Sequence, residues 1–334
     1  QPGLVVAPNT FKDVPESISE FSLNAIRSFH EKETAIDLLT ENEYLYKSWN
    51  GGRGLIGALA SLGAYNALDD WTYERITYRD QHLWGTIREV DSSSVLEVSN
   101  QFYPLVWDNF DKKEGYPVCV PRTPCPVLYG IRGENPEIVT SVANKIKSEP
   151  SIHSALFTTN QGTDAHIQPG KMGSIEEGKS YSIDGMVSSS PYTIEGGHVF
   201  FKLKDESNEI LCSAFEPTKH FRNHVRNIDI GDKITVCGEV AQGTLKLEKF
   251  AIRELITTKT KNPICTICND SMESSDQSQG YRCRKCGAKK SDKIQVPYPR
   301  KIHIGWYEVP PCARRHLAKP LIRGGFDSAL HPER

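Results

Sequence analysis

The sequence is poor in methionine and has no long apolar run. Its only methionines are Met172, Met186 and Met272, and its first residue is Gln1. Because no methionine stands at the start, we expect a processed chain or a fragment that lacks its true N-terminus, and we favour the fragment. No stretch approaches the ~20 apolar residues of a membrane helix, and no charged segment followed by an apolar one opens the chain. The sequence therefore predicts no transmembrane span, and we expect a cytoplasmic protein without a membrane partner.

The composition is also unlike that of a disordered chain or an extracellular disulfide scaffold. Of the 334 residues, 38% are hydrophobic and 25% are charged, as in ordinary globular proteins. That length predicts two to three domains. The chain has nine cysteines but no secretory signal, which argues against a disulfide framework. At least some of the cysteines therefore need another explanation.

The net charge of −2 conceals an uneven distribution along the chain. Residues 257–334 contain 15 Lys and Arg against 7 Asp and Glu, so the preceding residues are strongly acidic. A basic C-terminal quarter on an acidic body predicts a local contact with a polyanion. A merely solvated basic tail is the alternative.

Four cysteines have the spacing of a metal-binding ribbon. Two Cys-x-x-Cys pairs stand fourteen residues apart in "CTICNDSMESSDQSQGYRCRKC", and their members are Cys265, Cys268, Cys283 and Cys286. Two such turns facing each other make a tetrahedral Cys₄ cage, which suits zinc. Since all four ligands are cysteine, the pattern predicts a structural site whose metal contributes much of the folding energy. Cations crowd the second pair and favour phosphate contacts there: Arg282, Arg284, Lys285, Lys289 and Lys290.

Residues 178–256 have the strand pattern of a small barrel. Five strands are predicted in "SYSIDGMVS", "GGHVFFKLKD", "EILCSAFEP", "DKITVCGEV" and "TLKLEKFAIREL". One helical stretch, "KHFRNHVRNI", falls between the third and the fourth, and its apolar residues repeat at helical spacing. Five strands with a helix in this position indicate an OB-fold.

The second strand of this barrel has a face suited to nucleic acid. Alternation places Val199, Phe201 and Leu203 on the inner face and His198, Phe200, Lys202 and Lys204 on the outer one. An aromatic ring flanked by lysines can stack on an unpaired base and follow its backbone. Arg222 and Arg226 on the helix offer further phosphate contacts. A solvent-facing sheet with one exposed phenylalanine is the alternative.

A strand–helix–strand unit of the ferredoxin-like kind is predicted before the barrel. Its parts are residues 127–131, 136–147 and 152–158. We expect the two strands to be adjacent and parallel, so that Arg132 and Asp164, which follow them, face one cleft. There Arg132 is a candidate phosphate ligand and Asp164 a candidate cation ligand. A surface arginine and a capped loop are the alternatives.

The first seventy residues combine amphipathic helices with a glycine-rich turn. We expect Phe21, Leu23, Ile26 and Phe29 to lie in a core. In "NGGRGLIGALASLGA", Gly52, Arg53 and Gly54 precede an apolar helix, whose free N–H groups would suit an anion. No Gly-Lys-Ser/Thr follows, so the stretch is not a Walker loop. A phosphate cradle and a simple tight turn before a buried helix both remain open.

Several of these stretches together resemble one family. They are "GRGLIGALA", "TPCPVLYGIRG", "EGGHVFF", "AFEPTKHFRN", the Cys₄ ribbon and "YEVPPCARRHLAKPLIR". In this order they resemble the archaeal agmatidine synthetases (TiaS), or tRNA(Ile) 2-agmatinylcytidine synthetases. The resemblance runs from Gln1 to Arg323.

The resemblance implies a multidomain α+β fold. The implied units are the C-terminal part of a kinase-like catalytic domain (1–70), a ferredoxin-like α/β domain (71–172), an OB-fold β-barrel (176–257), a Cys₄ zinc ribbon (261–291) and a basic tRNA-contacting segment (292–334).

The resemblance also implies a ligase that uses Mg²⁺ and ATP. Enzymes of this family attach agmatine to carbon 2 of the wobble cytidine in the AUA-decoding isoleucine tRNA, whose anticodon is CAU, through a phosphorylated base. By resemblance, Gly52, Arg53, Gly54 and Arg132 belong to the ATP side and Asp164 to the agmatine side. The implied tRNA contacts of the C-terminal motif are Arg314, Arg315, His316 and Lys319.

One departure from the family pattern concerns the catalytic residues. The family begins with an Asp-Asp-Thr-Asp segment that carries the kinase chemistry, and Asp69-Asp70 has a different setting. The catalytic residues are therefore expected upstream of Gln1, and this chain alone is expected to be inactive. A non-catalytic nucleic-acid-binding protein built from an OB-fold and a zinc ribbon is the alternative function.

Overall fold

The computed structural model describes residues 1–8, 10, 12–275 and 280–334. The first unit combines three helices with a two-stranded sheet. The apolar faces of its helices meet in a core around Ile18, Leu39 and Leu59. Strand β1 pairs antiparallel with β2, and α3 packs on both α1 and β1. The elements are β1 (Gly3–Val6), α1 (Glu16–Arg27), α2 (Lys32–Glu41), β2 (Leu45–Ser48) and α3 (Gly54–Ala67).

The second unit has a four-stranded antiparallel sheet with the order β4-β7-β3-β8, which confirms the ferredoxin-like prediction. Helices α4 and α5 cover one face, and Asn135 caps α5 by accepting the N–H groups of Glu137 and Ile138. The elements are β3 (Thr72–Arg79), α4 (Ser92–Phe102), β4 (Val106–Trp107), the hairpin β5 (Phe110–Asp111) and β6 (Tyr116–Pro117), β7 (Val127–Gly133), α5 (Pro136–Lys145) and β8 (Ser151–Thr159).

The third unit is a closed barrel. Strand β12 pairs with β10 and β13, β13 pairs with β15 in parallel, and β14 closes the ring between β15 and β10. This closed five-stranded ring, with α6 between its third and fourth strands, confirms the OB-fold prediction. The elements are β9 (Ile167–Pro169), β10 (Ser180–Val187), β11 (Tyr192–Thr193), β12 (Val199–Lys204), β13 (Glu209–Ala214), α6 (Phe221–Val225), β14 (Lys233–Ala241) and β15 (Thr244–Glu254).

The ribbon follows on a two-stranded stem, and the chain then returns to the barrel. Strands β16 and β20 form the stem, and β17, β18 and β19 form the ribbon sheet. Strand β21 joins the barrel beside β15, and β22 pairs with β21. The elements are β16 (Thr258–Lys261), β17 (Glu273–Ser274), β18 (Tyr281–Arg282), β19 (Lys289–Lys290), β20 (Ile294–Pro297), β21 (Gly305–Glu308) and β22 (Leu330–His331).

Two details differ from the expectations. Strands β7 and β8 run parallel but are not adjacent, because β3 lies between them and pairs antiparallel with both. Phe29 is 82% exposed instead of buried, since α1 ends at Arg27 and the helical spacing does not extend to it. None of the helices in the described ranges has the length and apolar character needed to cross a membrane.

Candidate functional site

The four predicted zinc ligands converge on one point. The Sγ atoms of Cys265, Cys268, Cys283 and Cys286 all lie within 4.8 Å of one another. Backbone N–H groups of Cys268 and Ile267 lower the pKa of Cys265 to about 7, which favours the thiolate that binds metal. A hydrogen bond with Cys286, together with burial, raises the pKa of Cys268 to about 12, which reflects the cost of collecting four thiolates. A divalent cation would offset that cost, so the donor set fits the predicted structural zinc.

Several of the ribbon cations form contacts within the ribbon. We use this name for Arg282, Arg284, Lys285, Lys289 and Lys290. Arg284 pairs with Glu273, and Lys285 Nζ lies 2.6 Å from Asp270 Oδ2. Lys290 donates to the carbonyl of Ile264. Exposed ion pairs of this kind contribute little to stability, so Arg284 and Lys285 can exchange these carboxylates for phosphate contacts.

An aromatic cluster lies on the outer face of the barrel, as alternation in the second strand predicts. The rings of Phe200 and Tyr192 are nearly parallel with centroids 5.8 Å apart, and Phe215 meets Phe200 edge-on at 6.0 Å. His198 packs on Phe215, and its Nδ1 accepts the N–H of Glu216. Lys246 Nζ lies 5.7 Å from the Phe215 ring centroid. We call Tyr192, His198, Phe200 and Phe215 the aromatic cluster.

The cationic side chains around the aromatic cluster have different roles in the structure. Lys202 is exposed and pairs with Glu209 at 2.7 Å. Arg222 is mostly buried and donates to the carbonyls of Gly197 and Lys219, which fixes the turn before β12. Arg226 is exposed and donates to Thr193 and Asn223 beside the cluster. Lys202 and Arg226 thus remain candidates for phosphate contacts, while Arg222 supports the turn.

We predict that Phe200→Ala weakens binding of single-stranded RNA by ~1–3 kcal/mol, because base stacking on an aromatic ring contributes about that much. Fluorescence anisotropy with a labelled oligonucleotide measures the change. Phe29→Ala is the matched control, since Phe29 is an exposed aromatic residue in the first unit, outside the cluster. An affinity equal to that of the unaltered protein would make Phe200 an ordinary exposed side chain.

The glycine-rich turn has a structural reason for its glycines. Asn50, Gly51 and Gly52 all have positive φ angles, which turns the chain sharply into α3. The Gly54 N–H donates to the carbonyl of Gln1, and a Cβ on Gly54 would lie 2.7 Å from that oxygen. The side chain of Arg53 is exposed at the start of α3. The turn is thus required for packing β1 against α3, and a phosphate contact through Arg53 stays a prediction.

Arg132 and Asp164 each form an ion pair with a residue of opposite charge. Arg132 Nε lies 3.2 Å from Glu74 Oε1. Both carboxylate oxygens of Asp164 accept from the buried Lys249 Nζ, at 2.9 and 2.7 Å, and Asp164 Oδ1 also accepts the Lys319 N–H. Because β3 separates β7 from β8, the expected cleft between adjacent strands is absent among the described residues. The assignments of Arg132 to ATP and of Asp164 to agmatine therefore stay predictions. Each of these side chains already has a partner of opposite charge within the protein.

The C-terminal segment binds the units of the protein together. Arg314 is 3% exposed, pairs with Asp108 of the ferredoxin-like unit, and lies 3.0 Å from Glu308 of β21. Arg315 is more exposed and reaches Glu239 and Glu248 of the barrel. We call residues 309–334 the strap.

The predicted tRNA contacts of the strap differ in accessibility. The guanidinium of Arg132, together with burial, lowers the pKa of His316, which favours its neutral imidazole. Lys319 is half-buried and lies 3.5 Å from Asp70 Oδ2. Arg314 is enclosed in its ion pairs: its Nη1 donates to Asp108 and its Nη2 to the carbonyl of Val309, so this guanidinium is poorly placed to meet a phosphate. Arg315 is the predicted contact in the strap that is best placed to meet a polyanion.

Sequence reasoning missed residues that the fold brings together. Tyr192 and Phe215 join Phe200 only because β11, β12 and the end of β13 are neighbours. Lys249 is buried on β15, where its ammonium group contacts Asp164. Its place within the strand "TLKLEKFAIREL" is the one signal that the sequence offers for this cation.

A closed OB barrel with an outward aromatic cluster, joined to a Cys₄ ribbon and a ferredoxin-like sheet, defines a multidomain RNA-binding protein. The chain is 45% identical to an isoleucine-tRNA 2-agmatinylcytidine synthetase, TiaS, of Haloquadratum walsbyi, over the whole chain and 81% of the relative. It belongs to this TiaS family. A relative with the same description from Methanosarcina acetivorans is 44% identical, with the whole chain and 79% of the relative covered.

Family profiles and solved structures agree with that membership. The profile of the TiaS FLD domain matches residues 52–166, that of the OB-fold nucleic acid binding domain 176–248, and that of the TiaS C-terminal zinc ribbon 262–302. The crystal structure of a complex of TiaS with its isoleucine tRNA and ATP matches with a TM-score of 0.85 and 41% identity, covering 95% of this chain and 75% of that one. A complex of TiaS with the same tRNA, AMPCPP and agmatine matches with a TM-score of 0.83 and 39% identity, with 95% and 75% covered.

Proposed function

We propose that this protein is an ATP-dependent ligase that joins agmatine to carbon 2 of the wobble cytidine of the CAU-anticodon isoleucine tRNA. The observation that carries this function is the match, over 95% of the chain, to enzymes solved with an isoleucine tRNA, ATP and agmatine. A non-catalytic adaptor is not favoured, because the similarity includes the first two units as well as the barrel and the ribbon. Its tRNA substrate supports a cytoplasmic location.

The reaction needs activation of a poor leaving group. The oxygen on carbon 2 of cytidine leaves only after ATP has phosphorylated it. The primary amine of agmatine then attacks carbon 2, the new C–N bond forms, the C–O bond breaks, and phosphate departs with the oxygen. The amine loses a proton in this step. We infer that Mg²⁺ accompanies the ATP, as phosphoryl transfer requires charge neutralisation.

Recognition of tRNA belongs to the barrel and the ribbon in this proposal. The target base must leave its stack to be reached, and the aromatic cluster with Lys202, Arg226 and Lys246 is suited to holding neighbouring unpaired nucleotides. Zinc bound by the four cysteines would keep the ribbon cations in fixed positions, from which they can contact phosphates. On the ATP side we retain Arg53, whose side chain is exposed at the start of α3, with Gly52 and Gly54 shaping the turn that presents it.

Transfer of labelled agmatine tests this function. The product of the complete gene is incubated with ATP, radiolabelled agmatine and the CAU-anticodon isoleucine tRNA. We expect label in acid-precipitable tRNA, dependent on ATP, and none in a tRNA whose wobble position is uridine. Protein that binds the tRNA but leaves all label in solution would contradict the ligase and favour an adaptor.

A further inference from the structure

One buried arginine of the strap lies between the exit of the first unit and the ferredoxin-like sheet. The side chain of Arg323 is 5% exposed. Its Nη1 and Nη2 donate to the two carboxylate oxygens of Asp70 at 3.0 and 2.8 Å, and Nε and Nη2 donate to Glu134. Nη1 also donates to the carbonyl of Gly162, and the guanidinium lies 5.3 Å from the Trp107 ring centroid.

The partners of Arg323 belong to different parts of the chain. Asp70 lies in the connection between α3 and β3, at the exit from the unit that carries the glycine-rich turn. Glu134 follows β7 and Gly162 follows β8. Because these two strands run parallel, both residues lie at the same end of the ferredoxin-like sheet. Arg323 therefore holds the exit of the first unit against this end of the sheet.

The backbone beside Arg323 is anchored to the barrel. Leu321 is fully buried against Ala251 and Trp306 on the outside of the barrel, and its N–H donates to Glu308 of β21 at 2.8 Å. One side chain thus connects the barrel, through its own backbone, with the ferredoxin-like sheet and the first unit. A planar guanidinium with two bidentate carboxylates fixes orientation as well as distance.

We propose that Arg323 is a positioning residue. It sets the geometry between the tRNA-holding half, which is the barrel and the ribbon, and the half that carries the glycine-rich turn, which is the first unit with the ferredoxin-like sheet. This inference rests on the proposed function. Reaction of a base that is held by one half with groups placed by the other requires near-ångström alignment, and a 1 Å misplacement can lower the rate about 100-fold. Binding of tRNA to the barrel and the ribbon requires no such alignment.

The effect separates turnover from binding. For Arg323→Gln in the product of the complete gene, we expect kcat for agmatine transfer to fall on the order of 10- to 100-fold. The affinity for tRNA changes by less than about threefold, because the barrel and ribbon surfaces are intact. Arg323→Lys keeps the charge but loses the fork, so it recovers only part of kcat.

Two further variants keep the test decisive. Glu134→Gln removes one bidentate partner from a more exposed position, so it retains the fold if Arg323→Gln does not, and we expect a smaller drop in kcat. Arg253→Gln is the matched control, because Arg253 also pairs with the strap, through Asp327, but at the surface. Full turnover in folded Arg323→Gln or Glu134→Gln, or equal losses of kcat and tRNA affinity, would overturn the inference. Absence of transfer by the unaltered protein would instead overturn the proposed function.

Discussion

Cys283→Ser releases the zinc and unfolds the ribbon. Serine oxygen does not replace a thiolate in a Cys₄ cage, and the short strands β17, β18 and β19 bury only a small cluster around Cys265, Met272 and Cys283. Structural zinc contributes ~10–16 kcal/mol of apparent binding free energy in small metal-dependent domains, which is folding free energy here. Elemental analysis should find about one zinc per chain in the unaltered protein and almost none in the variant.

The loss of the ribbon also weakens tRNA binding in a salt-dependent manner. The ribbon cations lose their fixed positions, so fewer phosphates are contacted and the slope of log K against log salt becomes shallower by ~0.9 for each lost contact with duplex phosphate. Cys125→Ser is the matched control, because Cys125 lies outside the ribbon and its Sγ accepts from Arg88, as serine can. A folded, zinc-free ribbon with undiminished tRNA affinity would refute the Cys₄ assignment.

Arg314→Leu destabilises the protein strongly and leaves the salt dependence of tRNA binding unchanged. Removing this buried guanidinium leaves Asp108 and Glu308 without their cation, and loss of one partner of a buried ion pair costs about 3–5 kcal/mol. Burial already raises the pKa values of both carboxyl groups against the opposing effect of Arg314, which shows how poorly water reaches the site. Calorimetric unfolding measures the loss.

The control for Arg314 is an exposed ion pair. Lys233→Met removes a cation that pairs with Glu254 at the surface, and such pairs contribute about 0–1 kcal/mol. If Arg314→Leu unfolds at the original temperature and instead reduces the salt slope of tRNA binding by ~1, Arg314 contacts a phosphate, as the sequence motif alone suggests.

The difference between the zinc ligands and Arg314 explains what sequence reasoning can reach. The Cys₄ ligands are recognisable because two local turns carry the whole chemical requirement, and the strands of the OB barrel alternate in a readable way. Arg314 and Asp108, by contrast, are 206 residues apart, and Arg323 and Asp70 are 253 apart. No periodicity links such pairs, so a basic motif looks like a phosphate contact until the fold supplies its carboxylates.

The same reasoning applies to Asp164 and to the strand order. An acidic residue after a strand is a reasonable cation ligand, but Lys249 lies 85 residues later on a different unit and takes both its oxygens. Strands β7 and β8 are not neighbours because β3, which precedes both in the chain, lies between them in the sheet. Local patterns therefore identify the OB barrel, the zinc ribbon and the ferredoxin-like sheet, whereas the contacts between units come from tertiary packing alone.

Agmatine ligation to the wobble base is settled by analysing the tRNA itself. CAU-anticodon isoleucine tRNA is incubated with the product of the complete gene, ATP and agmatine, digested to nucleosides and examined by mass spectrometry. We expect one cytidine of the anticodon to be replaced by its 2-agmatinyl derivative, only when ATP is present. An unmodified anticodon after incubation with folded, zinc-loaded, tRNA-binding protein would contradict this function.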